Sequence, residues 1–351
     1  MAERQLLRGN EVIAEAALRA GCQCYFAYPI TPQAELLEHM ARNMPRMGRT
    51  FIQAESEVAA INMVYGAASA GVRTMTSSSS PGISLKMEGI SYLAGSNLPA
   101  VIVNVVRGGP GLGNIAPSQC DYFQATKGGG HGDYHMIVLA PSTVPEAAGL
   151  TTLAFDLADL YRTPVMILTD GLLGQMLEPV ELPDPIDPTS LPPKPWATTG
   201  AAGRDPNIIL SFDLGPENLK RMNEALQAKY REIRAREIRY EETDVADADL
   251  VIAAYGSTAR IAKSVLRMAR AEGLKVGLFR PITVWPFPYD ALRAVADHVS
   301  TVLTVEMSAG QMWEDVRLAV AERAATPFYG EMGGVVPTPR SILNEVRKHA
   351  R

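Results

Sequence analysis

Two glutamates at the threshold of an apolar helix could either move a proton or simply complement the helix dipole. In QAESEVAAINMVYGAASAG (residues 53–71), Glu55 and Glu57 stand at the mouth of a run of small and apolar residues. A helix dipole stabilises a carboxylate there whatever its role. A desolvated carboxylate at Glu57 can also keep or share its proton, as acid–base work requires. Upstream, in YPITP (28–32), Pro29 and Pro32 flank Ile30 and Thr31, fix the backbone and leave the Thr31 hydroxyl as a rigid donor. The same letters suit a strand-to-helix turn with Thr31 as N-cap and Pro32 at the first helical position. Arg107 follows the apolar run AVIVNVV, where an always-charged fork suits a substrate carboxylate. A structural ion pair would use it equally well.

Three glycine- or serine-rich stretches accompany these residues. TSSSSPGISLKMEGISYL (76–93) reads as a polar loop closing on a helix, whose hydroxyls and glycine let backbone approach a ligand. In RGGPGLGNIAPSQ (107–119), Gly111, Gly113 and Ala116 fit the G-x-G-x-x-A dinucleotide spacing. Pro110 breaks the tight turn that motif needs, and Pro117 falls within the first turns of its helix. TKGGGHGDY (126–134) is a glycine-dense loop carrying His131, a lone histidine with no assigned chemistry.

The elements that must position these residues alternate. CYFAYP, TMTSSS, AVIVNVV, MIVLAP and PVMILTD are strand candidates, and GNEVIAEAALRAG, EVAAINMVYGAASAG and EAAGLTTLAFDLADLY have helical period. Alternation of this kind predicts a mostly parallel sheet covered by helices on both faces, with strands that are continuously apolar. The N-terminal stretch, with Val12, Ile13, Ala16 and Ala17 on one face, predicts an amphipathic helix. Proline-rich text follows Leu182 (LPDPIDPTSLPPKPW), and residues 216–242 form a charged helix. After Asp247 the alternation resumes with DLVIAAYG, TARIAKSVLRMARAEG, KVGLFRP, YDALRAVADH, TVLTVEM and MWEDVRLAVAE. The expected organisation is α/β with two doubly wound, mostly parallel-sheet domains: 1–182, a linker and charged helix over 183–243, and 244–351.

Composition excludes several classes. A net charge of −5 argues against a general nucleic-acid binder, and no apolar run is long enough to cross a bilayer. The N-terminus lacks the apolar core and cleavage site of a signal peptide, so a cytoplasmic location is expected. Cys22, Cys24 and Cys120 are too few for an iron–sulfur cluster, and the C-x-x-C spacing is missing. Cys22 and Cys24 flank Gln23 at the head of a strand and are expected on one side of it, as buried thiols.

Taken in order, YPITP, ESEVAAINMVYGAASAG, SSSPGISLKMEGISYLAG, VNVVRGGPGLG and FRPITVWPFP resemble the α-type subunit of the 2-oxoacid:ferredoxin oxidoreductases over almost the whole chain. The wording is most similar to the branched-chain (3-methyl-2-oxobutanoate) subgroup. The resemblance implies a thiamine diphosphate pyrimidine-binding domain followed by a transketolase C-terminal-like domain. It implies oxidative decarboxylation of a 2-oxoacid with CoA to acyl-CoA and CO2, electrons passing to ferredoxin. Glu57 matches the glutamate that hydrogen-bonds the aminopyrimidine ring and favours the tautomer able to take the thiazolium proton. Pro29 and Ile30 match cofactor contacts, Thr31 a contact to the oxo-acid end, and Arg107 a clamp on the carboxylate.

The diphosphate–Mg2+ motif GDG followed by asparagine is missing. Thr169-Asp170-Gly171 reads as a strand end, and the next asparagine is Asn207. The resemblance therefore implies a β-type thiamine-diphosphate-binding partner that holds Mg2+, a γ-type subunit, and a ferredoxin-like iron–sulfur subunit. No metal ligand is assigned to this chain. Lys86 and Lys127 are the basic residues that could receive a second carboxylate, as in 2-oxoglutarate; pyruvate is the other rival substrate. A non-catalytic scaffold with the same fold, or a nicotinamide enzyme built on Gly111, are the readings from other classes.

Overall fold

The structure is a computed structural model that describes residues 4–350. In chain order it comprises β1 (Gln5–Arg8), α1 (Gly9–Arg19), β2 (Cys24–Ala27), α2 (Ala34–Asn43), β3 (Thr50–Gln53), α3 (Glu57–Ser69), β4 (Thr74–Ser78), α4 (Ser80–Gly95) and β5 (Ala100–Val106). Then come α5 (Tyr122–Thr126), β6 (Ile137–Leu139), α6 (Val144–Tyr161), β7 (Pro164–Asp170), α7 (Gly171–Gln175) and β8 (Leu177–Val180). Residues 181–215 hold neither strand nor α-helix. The remainder is α8 (Pro216–Arg236), β9 (Tyr240–Thr243), β10 (Leu250–Ala253), α9 (Gly256–Ala271), β11 (Val276–Pro281), β12 (Thr283–Trp285), α10 (Tyr289–Ala296), β13 (Thr301–Glu306), α11 (Gln311–Val320), β14 (Phe328–Gly330) and α12 (Pro339–His349).

Among the described residues the strands form three sheets: β12-β6-β7-β5-β4-β2-β3, β14-β13-β10-β11-β9, and the pair β1-β8. The first is parallel except at β12, and β5 and β7 run in register over seven residues, from Ala100 against Pro164 to Val106 against Asp170. Every residue of both strands is buried, as continuous apolar text in a sheet covered on both faces requires. The chain winds from β2 out to β3, then returns to β4 on the other side, so the winding reverses between β2 and β4. Crevices at such reversals, outside the carboxyl ends of the strands, are where open α/β sheets bind ligands.

Local departures from the sequence expectations have identifiable causes. The predicted N-terminal helix begins only at Gly9; Gln5–Arg8 is instead a strand, antiparallel to Leu177–Val180, and residues 1–3 lie outside the described part. That pairing is non-local, so no periodicity announces it. The charged helix ends at Arg236, and Tyr240–Thr243 adds antiparallel to β11, with the Tyr240 ring stacked on Phe279. TMTSSS is a strand as expected, Thr74–Ser78, but no polar loop follows it: Ser80 already begins α4, with Pro81 in its first turn. Thr31 is not an N-cap, because α2 starts at Ala34 after Gln33. No helix follows Gly111 until Tyr122, so the dinucleotide spacing lacks the element it needs. Cys22 precedes β2 rather than lying in it, and burial pushes its thiol up to about 12.

One face of the second sheet joins the core of the first, while its other face packs a separate cluster against α9 and α12. Strand β12 crosses from the second unit to pair with β6, and Trp285 at its end stacks on His135 and meets Tyr230 edge-on. Arg280 on β11 makes a two-pronged pair with Glu146 on α6, its nitrogens 2.9 and 2.8 Å from the carboxylate oxygens. Gln119 is the tightest seam. Its backbone N–H donates to Met307 O, its side-chain amide donates to Tyr255 O, and its side-chain oxygen accepts from Met307 N and Thr258 Oγ1. Gln119→Ala therefore strands buried partners, and stability should fall by about 3 kcal/mol, since each orphaned group costs about 1–3 kcal/mol. Urea unfolding measures it; an unchanged midpoint would show that water replaces the amide.

Candidate active site

Four segments converge on the carboxyl edge where the winding reverses: Tyr28–Gln33 after β2, Ala54–Glu57 after β3, Ser78–Gly82 at the β4–α4 junction, and Arg107–Leu112 after β5. Each reaches that edge because the strands beneath are parallel. Glu57 is the first residue of α3, whose N-cap is Ser56, the hydroxyl accepting from Ala59 N at 3.1 Å. Glu57 is only 6% exposed. Its carboxylate lies against Gly82, where an added Cβ would come within 2.6 Å of Glu57 Oε1 and 2.1 Å of Ser78 Oγ. A residue larger than glycine at position 82 would displace the carboxylate.

Among the described residues the Glu57 carboxylate has no hydrogen-bond partner, and the buried Ser78 and Ser79 hydroxyls have none either. An acceptor beside unpartnered hydroxyls, in a cradle kept open by a glycine, fits a ligand that brings its own N–H groups, such as an aminopyrimidine. Buried polar groups normally have partners, so this concentration marks the place where one is supplied from outside.

Arg107 binds the edge together. It is 7% exposed; one terminal nitrogen donates to Thr31 O at 3.0 Å and the other to Leu112 O at 3.1 Å, while Nε is buried without a partner. Its backbone N–H donates to Ser80 Oγ at 3.1 Å. Thr31 is exposed, Pro29 is exposed and Ile30 half-buried. Thr31 and Arg107 are thus brought together, and the arginine is organising backbone rather than pairing with an acid.

Other candidates lie elsewhere. Glu55 is exposed. His131 is exposed, meets Tyr92 edge-on, and accepts at its carbonyl from Ser91 Oγ. Asp170 caps α7, accepting from Leu172 N and Leu173 N, and burial pushes its carboxyl up, so Thr169-Asp170-Gly171 is a strand end. Lys127 pairs with the buried Asp315 at 2.5 Å. No group of three or more His, Cys, Asp or Glu among the described residues is placed to hold a metal ion. No described helix is long and apolar enough to cross a membrane. A cleft of about 660 Å³ opens beside the site, between Ser80, Pro110 and Cys120 on one wall and Met307, Gln311 and Met332 on the other. Thr31, Glu57 and Arg107 do not line it, so its size is no guide to the chemistry.

Lys86 was the residue least readable from spacing alone. It is fully buried, and Nζ donates to Thr76 Oγ1 at 2.5 Å and Ser77 O at 3.0 Å. Burial lowers its pKa to about 7 and the Glu57 charge partly opposes that. The signal for it is a single lysine within the apolar text of α4, one turn after Gly82.

The family described as pyruvate flavodoxin/ferredoxin oxidoreductase, thiamine diphosphate-binding, matches residues 15–242, and pyruvate:ferredoxin oxidoreductase core domain II matches residues 248–342. The chain is 52% identical to the ketoisovalerate oxidoreductase subunit VorB of Methanothermobacter thermautotrophicus, over 99% of this chain and 98% of that protein. It is 37% identical to the 2-oxoglutarate synthase subunit KorA of the same organism, over 100% of both. The 2-oxoglutarate:ferredoxin oxidoreductase of Magnetococcus marinus, solved with 2-oxoglutarate, coenzyme A and succinyl-CoA bound, superposes with TM-score 0.88 at 28% identity. That match covers 100% of this chain and 66% of the longer one.

The Lys86 environment makes a pH prediction. Its facing groups are Glu57 from α3, the Thr76 hydroxyl and Ser77 carbonyl from β4, and, through Ser77, the Tyr25 hydroxyl of β2. Between about pH 7 and the ordinary 10.5 the folded chain holds fewer protons at this lysine than the unfolded chain. Its contribution to stability therefore rises with pH across that window and is most unfavourable below pH 7. In Lys86→Met that part of the slope should vanish, as urea midpoints of the two proteins from pH 6 to 10 will show; parallel profiles would mean that Lys86 titrates normally.

Proposed function

This chain belongs to the pyruvate flavodoxin/ferredoxin oxidoreductase family, and on that premise we propose that it is the α-type subunit of a thiamine-diphosphate-dependent 2-oxoacid:ferredoxin oxidoreductase. Residues 1–182 serve as the pyrimidine-binding domain, 183–243 as linker and charged helix, and 244–351 as the transketolase C-terminal-like domain. The observation that carries this reading is the buried, unpartnered Glu57 carboxylate seated against Gly82.

Thiamine diphosphate, when bound, supplies the carbanion chemistry of decarboxylation. This chain supplies the polar groups around its pyrimidine half. Glu57 would share a proton with the ring through a hydrogen bond, and Pro29 and Ile30 would shape the wall. Thr31 presents a hydroxyl to the oxo-acid end. Arg107 positions Thr31 through its carbonyl and keeps a further hydrogen on each terminal nitrogen for the substrate carboxylate. Mg2+ and the iron–sulfur clusters belong to partner subunits of β-type, γ-type and ferredoxin-like kind. CoA receives the acyl group in a cytoplasmic complex.

The favoured substrate is a branched 2-oxoacid such as 3-methyl-2-oxobutanoate, in keeping with the higher identity to the ketoisovalerate oxidoreductase subunit. Both lysines considered for a second carboxylate are engaged, Lys86 inside the fold and Lys127 on Asp315, which weakens the case for 2-oxoglutarate. The superposition on a 2-oxoglutarate enzyme keeps that acid as the second reading.

Glu57→Gln keeps size and removes the carboxylate, so turnover of the assembled complex should drop roughly a hundredfold or more while the chain's circular dichroism stays unchanged. Near wild-type turnover would refute the role. Arg107→Lys replaces a fork spanning two carbonyls with a point charge, and should raise the Michaelis constant about tenfold for every 2-oxoacid alike. Steady-state kinetics on 3-methyl-2-oxobutanoate, pyruvate and 2-oxoglutarate test both statements. A clear preference for 2-oxoglutarate would overturn the branched-chain assignment and leave the thiamine mechanism standing.

A further inference from the structure

Helix α4 presents two consecutive turns of one face to the space beneath the site. Gly82 gives up its side chain so that the Glu57 carboxylate fits, and Lys86, four residues on, lies on the same face. Lower on α4, Gly89 performs a related service: a Cβ there would meet Ile61 of α3 at 2.5 Å, so the two helices are locked in close contact. Lys86 cannot leave this interface. It is fully buried, it spends two of its three hydrogens on Thr76 Oγ1 and Ser77 O, and the third has no acceptor among the described residues.

An isolated ammonium is costly to bury. Glu57 is the charged group that acts on Lys86 from the facing helix, and no acid on α4 itself does so. Glu57 in turn has no hydrogen-bond donor of its own among the described residues. Glu57 therefore acts on Lys86 by charge, with no direct hydrogen bond between the two among the described residues.

We propose that Lys86 is a positioning residue for Glu57: its enclosed ammonium holds the carboxylate at the mouth of the site and balances its charge. The proposal rests on the reading of Glu57 as the ring-binding glutamate, and it deepens that reading by naming what keeps the glutamate in place. Lys86 touches neither substrate nor cofactor in this scheme. Its β4 contacts tie the position of the charge to the strand whose end carries Ser78 and Ser79, so carboxylate and hydroxyls are set by one scaffold.

A double-mutant cycle tests it. Urea unfolding of the full chain is measured for wild type, Glu57→Gln, Lys86→Met and the double variant, and thiamine diphosphate affinity and turnover are measured in the assembled complex. Lys86→Met should shift the midpoint by a different amount in the Glu57→Gln background than in wild type, because removing either charge changes what the other costs to bury. Turnover should drop about tenfold in Lys86→Met, within the range for groups coupled at close quarters, and should not drop further when Lys86→Met is added to Glu57→Gln. Additive losses in midpoint and turnover would overturn the proposal, because a lysine that merely filled space would act independently of Glu57. Lys86→Gln guards against misfolding: it retains a donor for Thr76 and Ser77 while removing the charge. Wild-type turnover and affinity in Lys86→Gln would also overturn the proposal. Failure of the Glu57 assignment is read separately, as full turnover in Glu57→Gln, and the coupling in urea midpoints still reports whether the pair exists.

Discussion

Arg107 is the constraint on which the arrangement of the site depends. A guanidinium stays charged in any protein environment, so burying it obliges acceptors to close around it. Here the acceptors are backbone carbonyls, Thr31 from the segment after β2 and Leu112 from the segment after β5. Its own backbone N–H is fastened to Ser80, the first residue of α4. One residue, through its side chain and its backbone N–H, therefore sets the spacing of three segments that follow three different strands. Parallel strands bring those segments to the same edge; the arginine decides how they sit relative to one another once there.

The site that results is polar in a particular way. The Ser78 and Ser79 hydroxyls and Arg107 Nε are enclosed without a hydrogen-bond partner among the described residues, and the largely buried Glu57 stands beside them. A folded protein carries such groups at a cost in stability. The cost is bearable because the surrounding core is extensive, running from the first sheet onto one face of the second. Groups left unsatisfied in the free chain are also the groups with most to gain from a ligand's donors, so the same feature that weakens the fold locally favours binding there. The lysine beneath extends this logic from hydrogen bonds to charge.

Much of this was legible in the amino-acid order, and the exceptions share a cause. The continuously apolar strands β5 and β7, the small-residue helix behind Glu57 and the second run of alternating elements are local patterns, written in consecutive residues. YPITP and Arg107 could be placed at strand ends because the strands before them were plain. What stayed hidden was pairing at a distance. Gln5–Arg8 finds its partner some 170 residues on, and Thr283–Trp285 is a three-residue strand between Ile282 and Pro286 whose partner is β6. Neither has a periodicity of its own. TMTSSS was legible as a strand, but the polar loop expected after it is absent, because the hydroxyls that looked solvent-facing are enclosed, Thr76 Oγ1 and Ser77 Oγ being satisfied inside the fold by Phe26 O and Gln33 Oε1. Lys86, read as a possible receiver of a second substrate carboxylate, is instead enclosed against β4, which only three-dimensional packing reveals.

The strand β12 has a consequence for how the chain is made. Strand β6 must remain the outermost strand of the first sheet until residues 283–285 have left the ribosome, well over a hundred residues later. During that interval one side of β6 offers unpaired N–H and C=O groups, the kind of border along which nascent chains adhere to one another. Its three-residue length keeps that border short. Final closure of the sheet then waits on one of the longest-range contacts in the molecule, so the last step of folding is expected to be slow and to depend on the second unit having already formed. A fragment cut between the two units would never reach that step. It would keep an open border for its lifetime, and aggregation rather than loss of secondary structure would be its characteristic failure.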